Sequence, residues 1–93
     1  MANYEAMIVV SVAESEEKTQ AVVEKFKALI EANGTIANVD DWGKRKLAYP
    51  INYEPDGYYV VITFASEPDF PAELDRVANI TEGVLRLQTV KKA

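Results

Sequence analysis

Two stretches of the chain carry long apolar runs rich in β-branched and aromatic residues. One, from Asn3 to Val12, contains Met7-Ile8-Val9-Val10 in a row; the other is Tyr58-Tyr59-Val60-Val61-Ile62-Thr63-Phe64-Ala65. A strand with one face in water alternates apolar and polar residues, and neither stretch does. Both therefore read as central strands of a sheet, covered on both faces for part of their length. A chain of 93 residues holds one core, so both strands are expected in the same sheet.

The remaining elements follow from that demand. Ser15 is a suitable N-cap, and Glu16 and Glu17 place negative charge at the positive end of a helix. Val22, Val23, Phe26, Leu29 and Ile30 then recur at helical spacing, with Glu24, Lys25, Lys27 and Glu31 opposite. Asn33-Gly34 is expected to stop this helix, with Gly34 in the left-handed conformation. Thr35 to Leu47 reads as a charged edge strand in which Ile36 and Val39 are out of phase and Gly43 marks a bulge. Pro50, Pro55 and Asp56-Gly57 are expected to form the connection to the second apolar strand. Pro68, Asp69 and Pro71 open a second helix carrying Phe70, Leu74, Val77 and Ala78 on one face. After a turn at Glu82-Gly83, Val84 to Val90 is a last strand bearing Arg86 and Gln88.

The order is strand, helix, strand, strand, helix, strand. Two apolar strands in the middle, two charged strands at the edges and right-handed crossovers leave one arrangement. This is an α+β domain over residues 1–93, of the ferredoxin-like split βαβ type (βαββαβ). Its four-stranded antiparallel sheet has the order 4-1-3-2, with two helices on one face.

Composition limits the chemistry. There is no cysteine and no histidine, so disulfides, thiolate chemistry, the usual structural zinc sites and the commonest general base near neutral pH are excluded. No glycine-rich phosphate loop, catalytic triad or paired catalytic carboxylate is present. No catalytic residue, metal site, cofactor or small-molecule substrate is expected. No apolar run approaches the roughly 18 residues of a membrane span, and Met-Ala-Asn-Tyr-Glu does not read as a secretory leader. Ten basic residues against 15 acidic give a net charge of −5. A nucleic-acid ligand would be repelled by the molecule as a whole, and would need a local basic surface or a basic partner.

Three features offer such a surface. Trp42-Gly43-Lys44-Arg45-Lys46 sets three consecutive bases beside an aromatic on an edge strand. They could grip phosphate or an acidic surface, or merely block strand-to-strand aggregation. Trp42 could stack on a base, anchor a protein or fold back onto the core. Asp56-Gly57-Tyr58-Tyr59 partly resembles the RNA-contacting third strand of an RNA recognition motif, but Asp56 stands in place of a base and Tyr59 in place of a small residue. Arg86, Lys91 and Lys92 form a basic stripe if the last strand lies beside the first. Asp40 and Asp41 are adjacent and face opposite ways in an extended strand, a poor start for a cation site.

The chain resembles the bacterial small-subunit ribosomal protein six family over essentially its whole length. The resemblance is carried by Asn3-Tyr4-Glu5-Ala6-Met7-Ile8-Val9-Val10, by Trp42-Gly43-Lys44-Arg45-Lys46-Leu47-Ala48-Tyr49-Pro50-Ile51 with Gly57-Tyr58-Tyr59, and by Val84-Leu85-Arg86 with Val90-Lys91. It implies a structural, non-catalytic protein of the cytoplasmic ribosome. Such a protein binds the central domain of small-subunit rRNA together with ribosomal protein eighteen. It also implies partner or RNA contacts at Trp42, Lys44, Arg45 and Lys46, and RNA contacts at Asn3, Tyr4, Arg86, Lys91 and Lys92. Some relatives carry arginines where this chain has Ala2 and Asn3, and some have a longer C-terminal tail, so contacts from those ends are expected to be reduced. The rival reading on the same topology is a small-molecule-binding or regulatory domain that dimerises edge to edge. An acylphosphatase-like hydrolase would want a phosphate-cradling loop, and Ser11-Val12-Ala13-Glu14-Ser15 lacks arginine and glycine.

Overall fold

The fold was obtained as a computed structural model that describes residues 2–13, 15–51 and 54–92. The elements are β1 (Ala2–Ser11), α1 (Glu16–Asn33), β2 (Gly34–Ile51), β3 (Glu54–Ser66), α2 (Phe70–Ile80) and β4 (Val84–Lys92). All described strand pairs are antiparallel, and the sheet order is β2-β3-β1-β4. This is the order expected from the sequence, with the apolar strands inside and the charged strands at the edges.

One face of the sheet holds the core. Tyr4, Ala6, Ile8 and Val10 of β1 and Val60, Ile62 and Phe64 of β3 pack against Val23, Phe26 and Ile30 of α1 and Phe70, Leu74 and Ala78 of α2. Phe64 joins the layers, lying 5.7 Å from the Tyr4 ring and 5.9 Å from Phe70, edge-on to the latter. Aromatic pairs at these separations add about 1 kcal/mol each to their burial. The opposite face is largely open, and among the described residues it is fully buried around Val9. Val9 is 2% exposed there because Gly57 has no side chain, so Val9 and the buried Leu47 close over it.

The ends of α1 show one expectation met and one corrected. The Ser15 hydroxyl accepts from the Lys18 amide at 3.3 Å, and the Thr19 hydroxyl donates back to the Ser11 carbonyl at 2.9 Å, so the helix start is tied to the end of β1. Gly34 is not left-handed: at φ −171° and ψ −158° it is already extended and begins β2. The glycine is needed for a different reason. A Cβ there would collide with the Ala65 carbonyl oxygen across the ladder and come within 3.1 Å of the Ser66 side chain.

The prolines are also placed differently from expectation. Pro50 lies within β2 and Pro55 within β3, and the ladder runs out to Ile51 opposite Glu54. The connection is left to residues 52 and 53, outside the described residues. Proline is tolerated because β1 pairs with β3 only as far as Gly57, so the outer hairpin has free edges on both sides.

β2 contains three local shifts of register, between Ile36 and Asn38, between Asp41 and Gly43 and between Lys46 and Ile51. The first two each insert one extra residue, Ala37 and then Trp42. The first explains the phase anomaly: Ile36 faces Phe64 and Val39 faces Ile62, so both lie on the helix-covered side. The second uses Gly43 at φ 75°.

The two glycines respond differently to substitution. Gly34→Ala is expected to cost about 2 kcal/mol or more, because a backbone carbonyl must move. Gly43→Ala meets no atom within 4 Å and is expected to cost only the left-handed strain, about 1–2 kcal/mol. Gly43→Asn should then recover part of that loss in denaturant unfolding, and Gly34→Asn should recover none.

Candidate nucleic-acid and partner interface

The bulge at Trp42 decides which way the basic segment of β2 points. Before it, Asp40 pairs with Val61 and Asp41 with Val60, so the two carboxylates face opposite sides. After it, Gly43 pairs with Tyr59, Lys44 with Tyr58 and Arg45 with Gly57. Arg45 therefore shares the open face with Tyr59, and Lys44 lies on the helix side with Tyr58. Lys44, Arg45 and Lys46 are all exposed on the edge strand.

Each aspartate has a task. Asp40 accepts from the Trp42 indole nitrogen at 2.8 Å. Asp41 accepts from the Gly43 amide at 3.1 Å, which shapes the bulge, and from the Tyr58 hydroxyl, 2.6 Å from both carboxylate oxygens. Among the described residues no group of three or more acidic side chains is placed to hold a metal ion. Trp42 does not fold into the core. Its ring lies nearly parallel to Tyr59 on the open face, with centroids 6.2 Å apart and 11° between planes, and it remains 44% exposed. Trp42, Tyr59, Arg45 and Lys46 line one recess of about 460 Å³.

The second group of candidates lies at the opposite edge. β4 runs beside β1, with Asn3 opposite Lys92, Tyr4 opposite Lys91 and Val9 opposite Arg86. The three cations do share an edge, but strand alternation divides them. Arg86 and Lys92 lie on the open face and Lys91 on the helix side. Lys92 reaches Glu5 at 3.4 Å in an exposed pair. Asn3 is exposed. Tyr4 is 7% exposed and belongs to the core through Phe64, so its ring supports β1 from within. The two basic margins are separated by β3 and β1. Two residues that the sequence placed in other roles complete the first margin: Tyr59, on which the indole rests, and Asp40, which orients it. The signal for both was the alternation of β3 against a bulged partner, which requires the register.

A sheet with one helix-covered face, one open face and basic edges has the geometry of an interaction domain. Known proteins agree. The profile described as Ribosomal protein S6 matches residues 3–91. The small ribosomal subunit protein bS6 of Clostridium novyi (strain NT) is 50% identical over 91 residues, covering 97% of this chain and 96% of that protein. The protein of the same name from Caldanaerobacter subterraneus subsp. tengcongensis is 50% identical over 92 residues, covering 98% and 97%. The crystal structure of 30S ribosomal protein S6 from Thermotoga maritima superposes with a TM-score of 0.91 at 32% identity, covering 98% of this chain and 87% of that one.

The chain therefore belongs to the ribosomal protein S6 family, a structural component of the small ribosomal subunit and not an enzyme. No described helix is long and apolar enough to cross a membrane.

The Tyr58–Asp41 contact has a measurable signature. The hydrogen bond to the Asp41 carboxylate raises the Tyr58 hydroxyl above its ordinary value, aided by burial and the negative charge of Asp41, and opposed by a hydrogen bond with Gln20. A folded-state value above the unfolded one stabilises the fold below about pH 10, and that contribution is lost as pH rises through the folded value. Ultraviolet titration should show a late-ionising component that is lost in Tyr58→Phe. The stability advantage of the wild type over that variant should be complete at neutral pH and fade above pH 10.

Proposed function

We propose that this chain binds the central domain of small-subunit rRNA as a pair with ribosomal protein eighteen. The observation that carries the reading is the basic, solvent-facing edge strand: Lys44, Arg45 and Lys46 follow an exposed tryptophan on a strand whose outer edge pairs with nothing among the described residues. In this reading Trp42, Lys44, Arg45 and Lys46 form the margin given to the partner and adjoining RNA. Asn3, Lys91 and Lys92 form the RNA-facing end of β1 and β4, with Tyr4 holding that end of β1 in place, and Arg86 extends the basic edge toward the other end of β4.

The charge balance bears on how the pair would work. A protein of net charge −5 with few phosphate contacts releases few counterions and binds RNA weakly by itself. A strongly basic partner beside β2 offsets the repulsion and adds contacts of its own. Labelled central-domain RNA titrated with each protein alone and then with both should show tight binding only for the pair. Nanomolar binding by this chain alone in physiological salt would contradict the cooperative reading.

The double variant Arg45→Ala, Lys46→Ala separates stability from assembly. Exposed edge charges contribute within about 0.5 kcal/mol to folding, so thermal unfolding should stay cooperative with a nearly unchanged midpoint. Assembly should weaken. Where both side chains meet phosphate, the slope of log affinity against log salt should fall by about two.

A further inference from the structure

Trp42 is the only tryptophan of the chain, and it is left half in water at the edge of the sheet. It is nonetheless held firmly. One side of the indole rests on Tyr59, and its nitrogen is fixed by the Asp40 carboxylate at 2.8 Å. Its backbone is set by the bulge that Gly43 closes in the left-handed conformation, itself pinned by Asp41. The ring is thus prepared in one orientation, with its remaining exposed area turned away from Tyr59. Arg45 and Lys46 line the same recess, and among the described residues neither is in an ion pair. A flat aromatic surface beside two available cations fits a ligand that joins a flat ring to an anion.

We propose that Trp42 is a stacking shelf for one unpaired nucleobase of single-stranded RNA, with Arg45 and Lys46 receiving the phosphates beside it. The inference rests on the ribosomal reading above and divides that margin, giving the indole to a nucleotide and leaving the partner the rest of the β2 edge. A protein anchor fits less well. An arginine or lysine drawn to the indole would meet repulsion from Arg45 and Lys46. An acidic peptide would satisfy the cations and leave the ring surface without a flat partner. A nucleotide satisfies both, and stacking accepts any base because every base has a π face. The mode differs from that of an RNA recognition motif, where bases lie on aromatics of the central strands. Here Tyr59 on β3 is already covered by Trp42 and serves as the support beneath the shelf.

The indole itself reports the result. The full chain is titrated at low salt with hepta-adenylate RNA and with an abasic heptamer of the same phosphate number. Saturable quenching by hepta-adenylate, and none by the abasic strand, is expected. Anisotropy of labelled hepta-adenylate should show about tenfold or greater weakening in Trp42→Leu and a smaller loss in Trp42→Phe, with circular dichroism confirming the fold of both variants. Absence of quenching at millimolar hepta-adenylate, or equal binding by Trp42→Leu, overturns the shelf. So does a basic partner protein that shields the indole from acrylamide before any RNA is added, since the ring would then be a protein contact. Assembly of the wild-type chain on central-domain rRNA with its partner is measured in parallel. Normal assembly without quenching removes the shelf and leaves the ribosomal reading standing. Quenching by hepta-adenylate without assembly removes the ribosomal reading and leaves the shelf.

Discussion

The pairing of β1 with β3 is the constraint on which the molecule depends. In their register Tyr4 meets Phe64, Ala6 meets Ile62, Ile8 meets Val60 and Val10 meets Tyr58. Those pairs form the strip on which both helices rest. A slip of one residue would turn Met7 and Val9 inward and send Tyr4, Ala6 and Ile8 to the open face, stripping the core from under Phe26 and Leu74. The register is also held at its ends. The Ser11 amide donates to the Gly83 carbonyl at 2.7 Å, and Thr19 ties α1 to the same residue. Lys25 of α1 reaches the Thr81 hydroxyl at the end of α2 at 3.1 Å, so the helix layer is closed across its own seam.

With the core satisfied by the inner strands, the edge strand β2 is free to be irregular. It contributes half-buried Ile36 and Val39 to the helix side and little else to the interior. Two extra residues are inserted without disturbing the inner pairing, because the outer edge of β2 has no ladder to interrupt among the described residues. The second insertion turns the edge from protection into a surface. It brings Arg45 onto the open face beside Trp42 and Tyr59 and turns Lys44 to the helix side, where Asp41 meets Tyr58. Edge charges that prevent strand aggregation and edge charges that grip a ligand are the same residues, and the bulge determines where they point.

The inner strands were legible because their helix-facing sides are almost wholly apolar and their open sides nearly free of charge, although among the described residues the open side is fully buried only around Val9, Leu47 and Gly57. The start of α1 was legible because Ser15 and the two glutamates act locally. Gly34 misled because helix termination and close strand approach both call for glycine, and only the position of the Ala65 carbonyl separates them. The misplaced prolines have a similar source: residues 50 and 55 break an inner strand, but the outer hairpin is not beside β1. The orientation of Trp42 could not be read, since it depends on the parity of β2 after the insertion at Ala37, which reverses it. The odd spacing of Ile36 and Val39 was the visible trace of that insertion. Tyr4 and Asn3 stood together in a motif, and strand alternation sends one to the core and leaves the other in water.

Net charge gives only a partial account of what a polyanion meets at this surface. Glu16, Glu17, Glu24 and Glu31 outnumber Lys18, Lys25 and Lys27 on α1, and Glu73 and Asp75 outnumber Arg76 on α2, whereas β4 carries Arg86, Lys91 and Lys92 and no acid. The molecule measures 37 × 23 × 21 Å. Exposed charges are largely screened beyond about 8 Å at physiological salt, so carboxylates on the helix layer scarcely weaken a phosphate contact at the far margin of the sheet. At longer range and lower salt the acidic layer turns the helices away from the polyanion and the sheet margins toward it. The basic residues are few and are split between two edges, with β3 and β1, which carry no basic residue, between them. Each edge therefore meets a separate stretch of chain, and the geometry of the ligand across the open face matters more than the number of positive charges it finds there.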